Sequence, residues 1–197
     1  MKMFLHVGCG TFNKARTTSA FNTPEWHETR LDIDPAVQPD VVGTMTDMSA
    51  IASASMDAIY SSHNIEHLYW HEVFVALREF QRVLRAQGFA IITCPDLQSV
   101  CALVAHDKLL ETAYVSSGGP IAPIDILYGH RPSLAAGKLY MAHRCGFTES
   151  SLLDVLSAAG FQAVATEAKG FDLWAVASKA KLDDDDVRAL AKLHFPQ

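Results

Sequence analysis

The sequence has no cluster of basic residues. Its 16 Lys and Arg are scattered among 22 Asp and Glu, for a formal net charge of −6 over 197 residues. Neutralising phosphates supplies much of the affinity of nucleic-acid binders, so this balance argues against nucleic acid as a partner. Cysteine is also scarce. Cys9, Cys94, Cys101 and Cys145 stand far apart and form no Cys-x-x-Cys pair, which excludes a zinc ribbon or a dense disulfide framework and suits a reduced, cytoplasmic setting. No uncharged apolar run approaches the roughly 20 residues of a membrane span, so no membrane association is expected. Met1 to Val7 is too short, and too soon followed by glycine, to read as a signal peptide. His130 and His143 lack a helical His-x-x-x-His partner or clustered carboxylates, so no metal is expected.

What is present is apolar bulk in short segments. Hydrophobic residues make up 49% of the chain, enough for one large core, and the length suits one domain spanning 1–197. Met3 to Val7 reads as a buried strand that stops at Gly8-Cys9-Gly10, and the polar stretch Thr11 to Glu28 reads mostly as loop. Further strands are predicted at Arg30 to Ile33, Asp40 to Thr44 and Met56 to Ser61. Val73, Leu77, Phe80, Val83 and Leu84 recur at helical spacing and predict a helix over Tyr69 to Ala86, with Gly88 as its stop. Phe89 to Thr93 is a strand of the fully buried type. Strands and helices in alternation imply an α/β fold: a doubly wound, mostly parallel sheet.

From about 97 to 146 the pattern loosens. Leu97 to Leu110 looks helical, residues 116–120 mark a turn, and Pro and Gly punctuate the remainder of the segment. A long irregular segment inside a compact domain is usually functional, and this insertion is expected to form a lid over the site. Thr148 can cap a helix ended by Gly160. Phe161 to Ala168 and Phe171 to Ser178 read as an antiparallel hairpin at a sheet edge. The acidic run Asp183 to Asp186 suits the start of a last helix.

A glycine turn directly after a first strand lets a ligand approach the backbone closely. Gly8 and Gly10 alone are a weak signal; context adds weight. An acid ending the second strand about 20 residues on is placed to accept hydrogen bonds from ribose hydroxyls, and Asp32 stands there. A dinucleotide fold would show a third glycine, but Asn13 holds that position and no good helix comes after it. A nucleoside cofactor without phosphate needs no helix N-terminus.

On these residues the chain resembles the class I S-adenosylmethionine-dependent methyltransferases of the small methyltransferase-domain type. The matching stretches are Leu5 to Gly10, Arg30 to Pro35, Val42 to Met48, Met56 to Leu68, Glu79 to Phe89 and Phe147 to Phe161. The resemblance implies a seven-stranded Rossmann-like sheet, S-adenosyl-L-methionine as cofactor with S-adenosylhomocysteine as product, and methyl transfer to a small polar acceptor. A repurposed, non-catalytic module with a binding or regulatory role is the alternative. Carried over by position, the cofactor residues are His6, Gly8, Cys9, Gly10, Asp32, Ile33, Thr44, Met45, Ser62 and His63. The family usually has acids where His6 and Thr44 stand.

Methyl transfer is an in-line displacement that needs alignment and, for poorly acidic acceptors, a base. His63, just past the fourth strand, and Asp96, just past the fifth, are the candidates; Asp96 can equally cap the helix after it. Glu66-His67 resembles a pair that fixes a helix to the sheet in the family, and Asn64 can cap the short helix beside that pair. In the insertion, Tyr128, His130, Arg131, His143 and Arg144 are candidate acceptor contacts.

Overall fold

The structure, a computed structural model, describes residues 1–116 and 118–196. Its strands are β1 (Lys2–Val7), β2 (Trp26–Asp32), β3 (Val41–Val42), β4 (Met56–Ser62), β5 (Leu84–Pro95), β6 (Tyr114–Ser116), β7 (Gly119–Ile121), β8 (Ala163–Lys169) and β9 (Asp172–Ser178). Seven of them form one sheet in the order β3-β2-β1-β4-β5-β9-β8, and β6 pairs with β7. Strands β3 through β5 of the large sheet pair in parallel, and β9 runs antiparallel to both β5 and β8. This is the Rossmann-like, mostly parallel sheet the sequence implies, with its antiparallel hairpin at one edge.

Both faces of the sheet are buried, which is why its central strands are apolar at consecutive positions. On one face Leu5, Ile59 and Ile92 meet Val73, Leu77 and Phe80 of α1 (Trp70–Val83) and Leu152 and Leu156 of α5 (Glu149–Ala158). On the other, Phe4, Tyr60, Ile91 and Val176 meet Val187 and Ala191 of α6 (Asp184–His194). No helix joins β1 to β2 among the described residues beyond a 3-10 turn at Lys14–Arg16. The loop instead drops Phe21 onto the sheet, where its ring stacks on Phe4 at 4.5 Å between centroids. One loop aromatic thus does part of a helix's covering work.

The boundaries differ from the sequence reading in physically explicable ways. Strand β2 begins at Trp26, inside the stretch read as loop. Helix α1 ends at Val83, and Leu84 already pairs with Met56. Gly88 therefore lies within β5 and does not stop the helix. A Cβ there would crowd Leu84 and the Asp57 carbonyl, so glycine permits a close approach at an irregular register. The helix end is satisfied by Lys179, whose ammonium donates to Gln81 O at 2.6 Å and Leu84 O at 2.9 Å.

Strand β3 is two residues long, because Thr44 turns away to bridge Asp47. Helix α2 (Leu97–Ala105) stops short of Leu110 as Asp107 adopts φ 61°. The segment after it holds the β6–β7 hairpin, then α3 (Pro123–Tyr128) and α4 (Arg131–Ala135). The turn expected at 116–120 includes Ser117, which lies outside the described residues. Thr148 and Asp183 cap α5 and α6 through their side chains. No described helix is long and apolar enough to cross a membrane.

Candidate functional site

The site begins where β1 runs out. Gly8 and Gly10 both take left-handed backbone, with φ of 61° and 54°, so the chain folds back and aims successive amides at the second strand. The N–H groups of Gly8 and Cys9 donate to Leu31 O, and Gly10 N–H donates to Asp32 Oδ2 at 2.7 Å. The Arg30 guanidinium donates to the carbonyls of Gly10 at 2.8 Å and Phe12 at 3.0 Å.

The two glycines serve different ends. A Cβ on Gly8 would overlap the Asn64 carboxamide, whereas one on Gly10 meets no protein atom within 4 Å. Asn64 is buried, and its amide donates to Val7 O at 2.9 Å and Ser62 O at 3.0 Å. It ties β1 to β4; it makes no side-chain cap to the adjoining 3-10 turn Ile65–His67. Gly8 makes room for that tie, and Gly10 leaves its own backbone open to a ligand.

A cavity of about 880 Å³ opens beside this bend. Each of the ten residues assigned to the cofactor by resemblance, from His6 to His63, lines it. Asp32 is largely buried there, its Oδ1 accepting from Asp34 N–H at 2.9 Å. Ser62 and Thr93 share a hydroxyl contact of 2.7 Å at the ends of β4 and β5. Burial pushes the Cys9 thiol up to about 11, so this cysteine is an inert wall residue.

His6 is almost fully buried, with Nδ1 2.7 Å from Glu28 Oε1 and its ring edge-on to Tyr60. Burial dominates and lowers its pKa, against the raising effect of Glu28. Glu28, Arg30 and Asp32 alternate along β2 and so share one face with His6 and Tyr60 beside them. Sequence reasoning missed Glu28 and Arg30. The period-2 spacing of charged residues ahead of Asp32 was the available signal, hidden because Trp26 to Glu28 read as loop.

At the far end of β4, His63 takes φ 54°, a left-handed conformation that is uncommon outside glycine. Its half-exposed ring sits between two carboxylates, with Nδ1 3.4 Å from Glu66 Oε1 and Nε2 3.4 Å from Asp172 Oδ1. Burial alone would lower its pKa, but Glu66 and then Asp172 outweigh it and the net shift is upward. Glu66 is fully buried. Burial would raise its carboxyl, yet His63, His67 and His143 together hold it below its ordinary value.

The remaining predicted residues are dispersed. Asp96 does not line the cavity: its carboxylate caps α2, accepting from Gln98 and Ser99 N–H and from the Ser99 hydroxyl. Tyr128 points to solvent, His130 pairs with Ser133, and Arg131 grips Asp125 at 2.7 Å. That ion pair, with backbone amides, holds the Asp125 carboxyl down at about 2. None of these three lines the cavity. Arg144 does, and His143 packs against His67 with ring centroids 4.9 Å apart. The insertion reaches the cavity through Lys138, Tyr140 and Met141 as well, and Tyr140 donates its hydroxyl to Asp34 Oδ2 at 2.8 Å.

A parallel sheet in this order, with the glycine bend and strand-end acid at its carboxyl edge, defines a class of nucleoside-binding α/β proteins. Residues 5–92 match the methyltransferase domain family. The sheet order is that of the class I S-adenosylmethionine-dependent methyltransferase fold.

The chain is similar in fold to the 1,6-didemethyltoxoflavin-N1-methyltransferase of Burkholderia thailandensis, solved with 1,6-didemethyltoxoflavin and S-adenosylhomocysteine. The identity is 16%, the TM-score 0.56, and 91% of this chain matches 71% of that one. It is also similar to a methyltransferase of Archaeoglobus fulgidus at 15% identity and TM-score 0.61, with 90% and 86% of the two chains covered. A possible histamine N-methyltransferase of Thermotoga maritima matches at 16% identity and TM-score 0.55, over 91% and 82%. No curated protein matches the chain.

Proposed function

We propose that this chain transfers the methyl group of S-adenosylmethionine to a small polar acceptor in the cavity beside the Gly8–Gly10 bend. One observation carries the reading. The open backbone at Gly10 and the Asp32 carboxylate are held together by a 2.7 Å hydrogen bond at the edge of one cavity. Asp32 keeps lone pairs beyond those used by Gly10 and Asp34, which suits it to a vicinal diol.

When bound, S-adenosylmethionine supplies an electrophilic methyl on a sulfonium. The chain's own task is to hold, align and exclude water. Asp32 and the Gly10 backbone hold the nucleoside, and Thr44 and Met45 flank its base. His6 and Ser62 face the amino-acid end. With its Nδ1–H donated to Glu28, His6 presents Nε2 as an acceptor in place of the family's carboxylate. His63, at the rim, is the residue placed to receive an acceptor's proton.

The 97–146 insertion acts as the lid, with Lys138, Tyr140 and Arg144 supplying the polar wall for the acceptor. Lys138 and Arg144 favour an acceptor bearing a negative or strongly polar group. Four free cysteines support a reducing, cytoplasmic setting.

Calorimetric titration of the protein with S-adenosylhomocysteine tests the reading. One-to-one binding is expected, and no heat at millimolar ligand overturns it.

A further inference from the structure

Behind the cavity wall lies a group that the methyl-transfer reading does not use. Glu66 is 1% exposed, and neither of its carboxylate oxygens accepts a hydrogen bond from the described residues. Burying a carboxylate in this way is costly in a protein interior, so such groups are paired or coordinate a metal. His63 approaches Oε1 at 3.4 Å, but its ring is half in solvent and shared with Asp172, and it leaves Oε2 unmet.

Two further imidazoles face the same carboxylate. Ligand atoms of Glu66, His67 and His143 all lie within 4.8 Å of one another. Each histidine is oriented from behind by a backbone carbonyl: His67 Nδ1 lies 3.2 Å from Ala142 O, and His143 Nδ1 2.7 Å from Ile126 O. A carbonyl can only accept, so both Nδ1 atoms carry a proton, and in the neutral ring each Nε2 keeps a free lone pair. That is how metal-ligating histidines are fixed by their surroundings. The frame around them is tied down too: Arg144 N–H and Cys145 N–H both donate to Glu66 O, at 2.8 and 3.2 Å.

We propose that Glu66, His67 and His143 bind a divalent first-row transition-metal ion of the zinc type at the cavity wall. Two imidazoles and one carboxylate match the donor preference of such ions and leave coordination positions open. The atoms must close from their present spacing to the about 3.3 Å separating tetrahedral ligands at a zinc site, an adjustment within reach of side-chain rotation. His67 lines the cavity, so an open position would face whatever acceptor enters. The sequence did hold a signal: His63 and His67 stand four residues apart with Glu66 between them. His143 completes the set only through the fold, 76 residues further on.

The test is titration of chelator-treated, full-length protein with zinc chloride, and separately with cobalt chloride read by visible absorption, without any nucleoside present. Wild type should bind one equivalent, with cobalt bands of a histidine-containing site. His143→Gln and Glu66→Gln should each weaken binding by about 100-fold or more, beyond the loss typical of outer-shell changes. Glu66→Gln keeps the side chain's shape while removing its charge, and a cooperative thermal melt of the metal-free variant separates lost binding from misfolding. Wild type without stoichiometric metal, or variants that bind as wild type does, overturns the proposal. Because the assay contains no nucleoside, its failure leaves the methyl-transfer reading intact, and S-adenosylhomocysteine titration reports on that reading separately.

Discussion

Replacing Asp32 by Asn isolates the charge on which cofactor capture depends while keeping the side chain's shape. In the structure the two carboxylate oxygens accept from Gly10 N–H at 2.7 Å and Asp34 N–H at 2.9 Å. An amide has one oxygen, so one of these buried donors would face an NH2 group. Leaving one donor unpaired costs about 1–3 kcal/mol. For a chain of this length that is a fall in Tm of about 2–12 °C. The ligand loses a charge-assisted acceptor, worth about 1.5–3 kcal/mol, so affinity for S-adenosylhomocysteine should drop about 10- to 150-fold. Thermal melts and calorimetric titration on the same sample separate the two effects. A variant that melts lower yet binds with unchanged Kd would refute the assignment of Asp32 to the ribose.

The two loop glycines should respond differently to alanine. Gly8→Ala collides with Asn64 at φ 61° and should lower Tm sharply, whereas Gly10→Ala meets no protein atom. The latter should lose only about 1–2 kcal/mol for its left-handed backbone, measured by urea unfolding, while weakening nucleoside binding. His194 is buried with a pKa pushed down to about 4 from 6.5. The unfolded chain takes up its proton first as pH falls, so stability is full above about 6.5 and declines until about 4. Between pH 7 and pH 5 the loss is about 2 kcal/mol. Unfolding free energies from urea melts should fall by that amount in wild type and much less in His194→Leu; equal pH slopes in the two proteins would contradict this. Tyr140→Phe removes the contact between the insertion and Asp34, and steady-state kinetics should show a raised KM for either substrate with fold and Tm nearly unchanged.

Local pattern alone determined the strand-helix alternation, the glycine bend, the acid closing the second strand, the cap at Thr148 and the acidic start of the last helix. Each rests on neighbours within a turn or a strand pair, where period and residue type suffice. The Gly88 reading failed because a helix end can be satisfied by a distant ammonium, here Lys179, that no local window contains. Glu28 was invisible as a partner of His6 because pairing of Trp26 with Lys2 extends β2 into a polar stretch. Whether Asp96 served chemistry or a cap turned on which way its carboxylate points, and the fold turned it into α2. Gathering His143 beside Glu66 and His67 also needed the tertiary structure. Two backbone hydrogen bonds, from Arg144 and Cys145 to the Glu66 carbonyl, set that proximity. Chain connectivity carries no information about distance once the intervening segment folds back on itself.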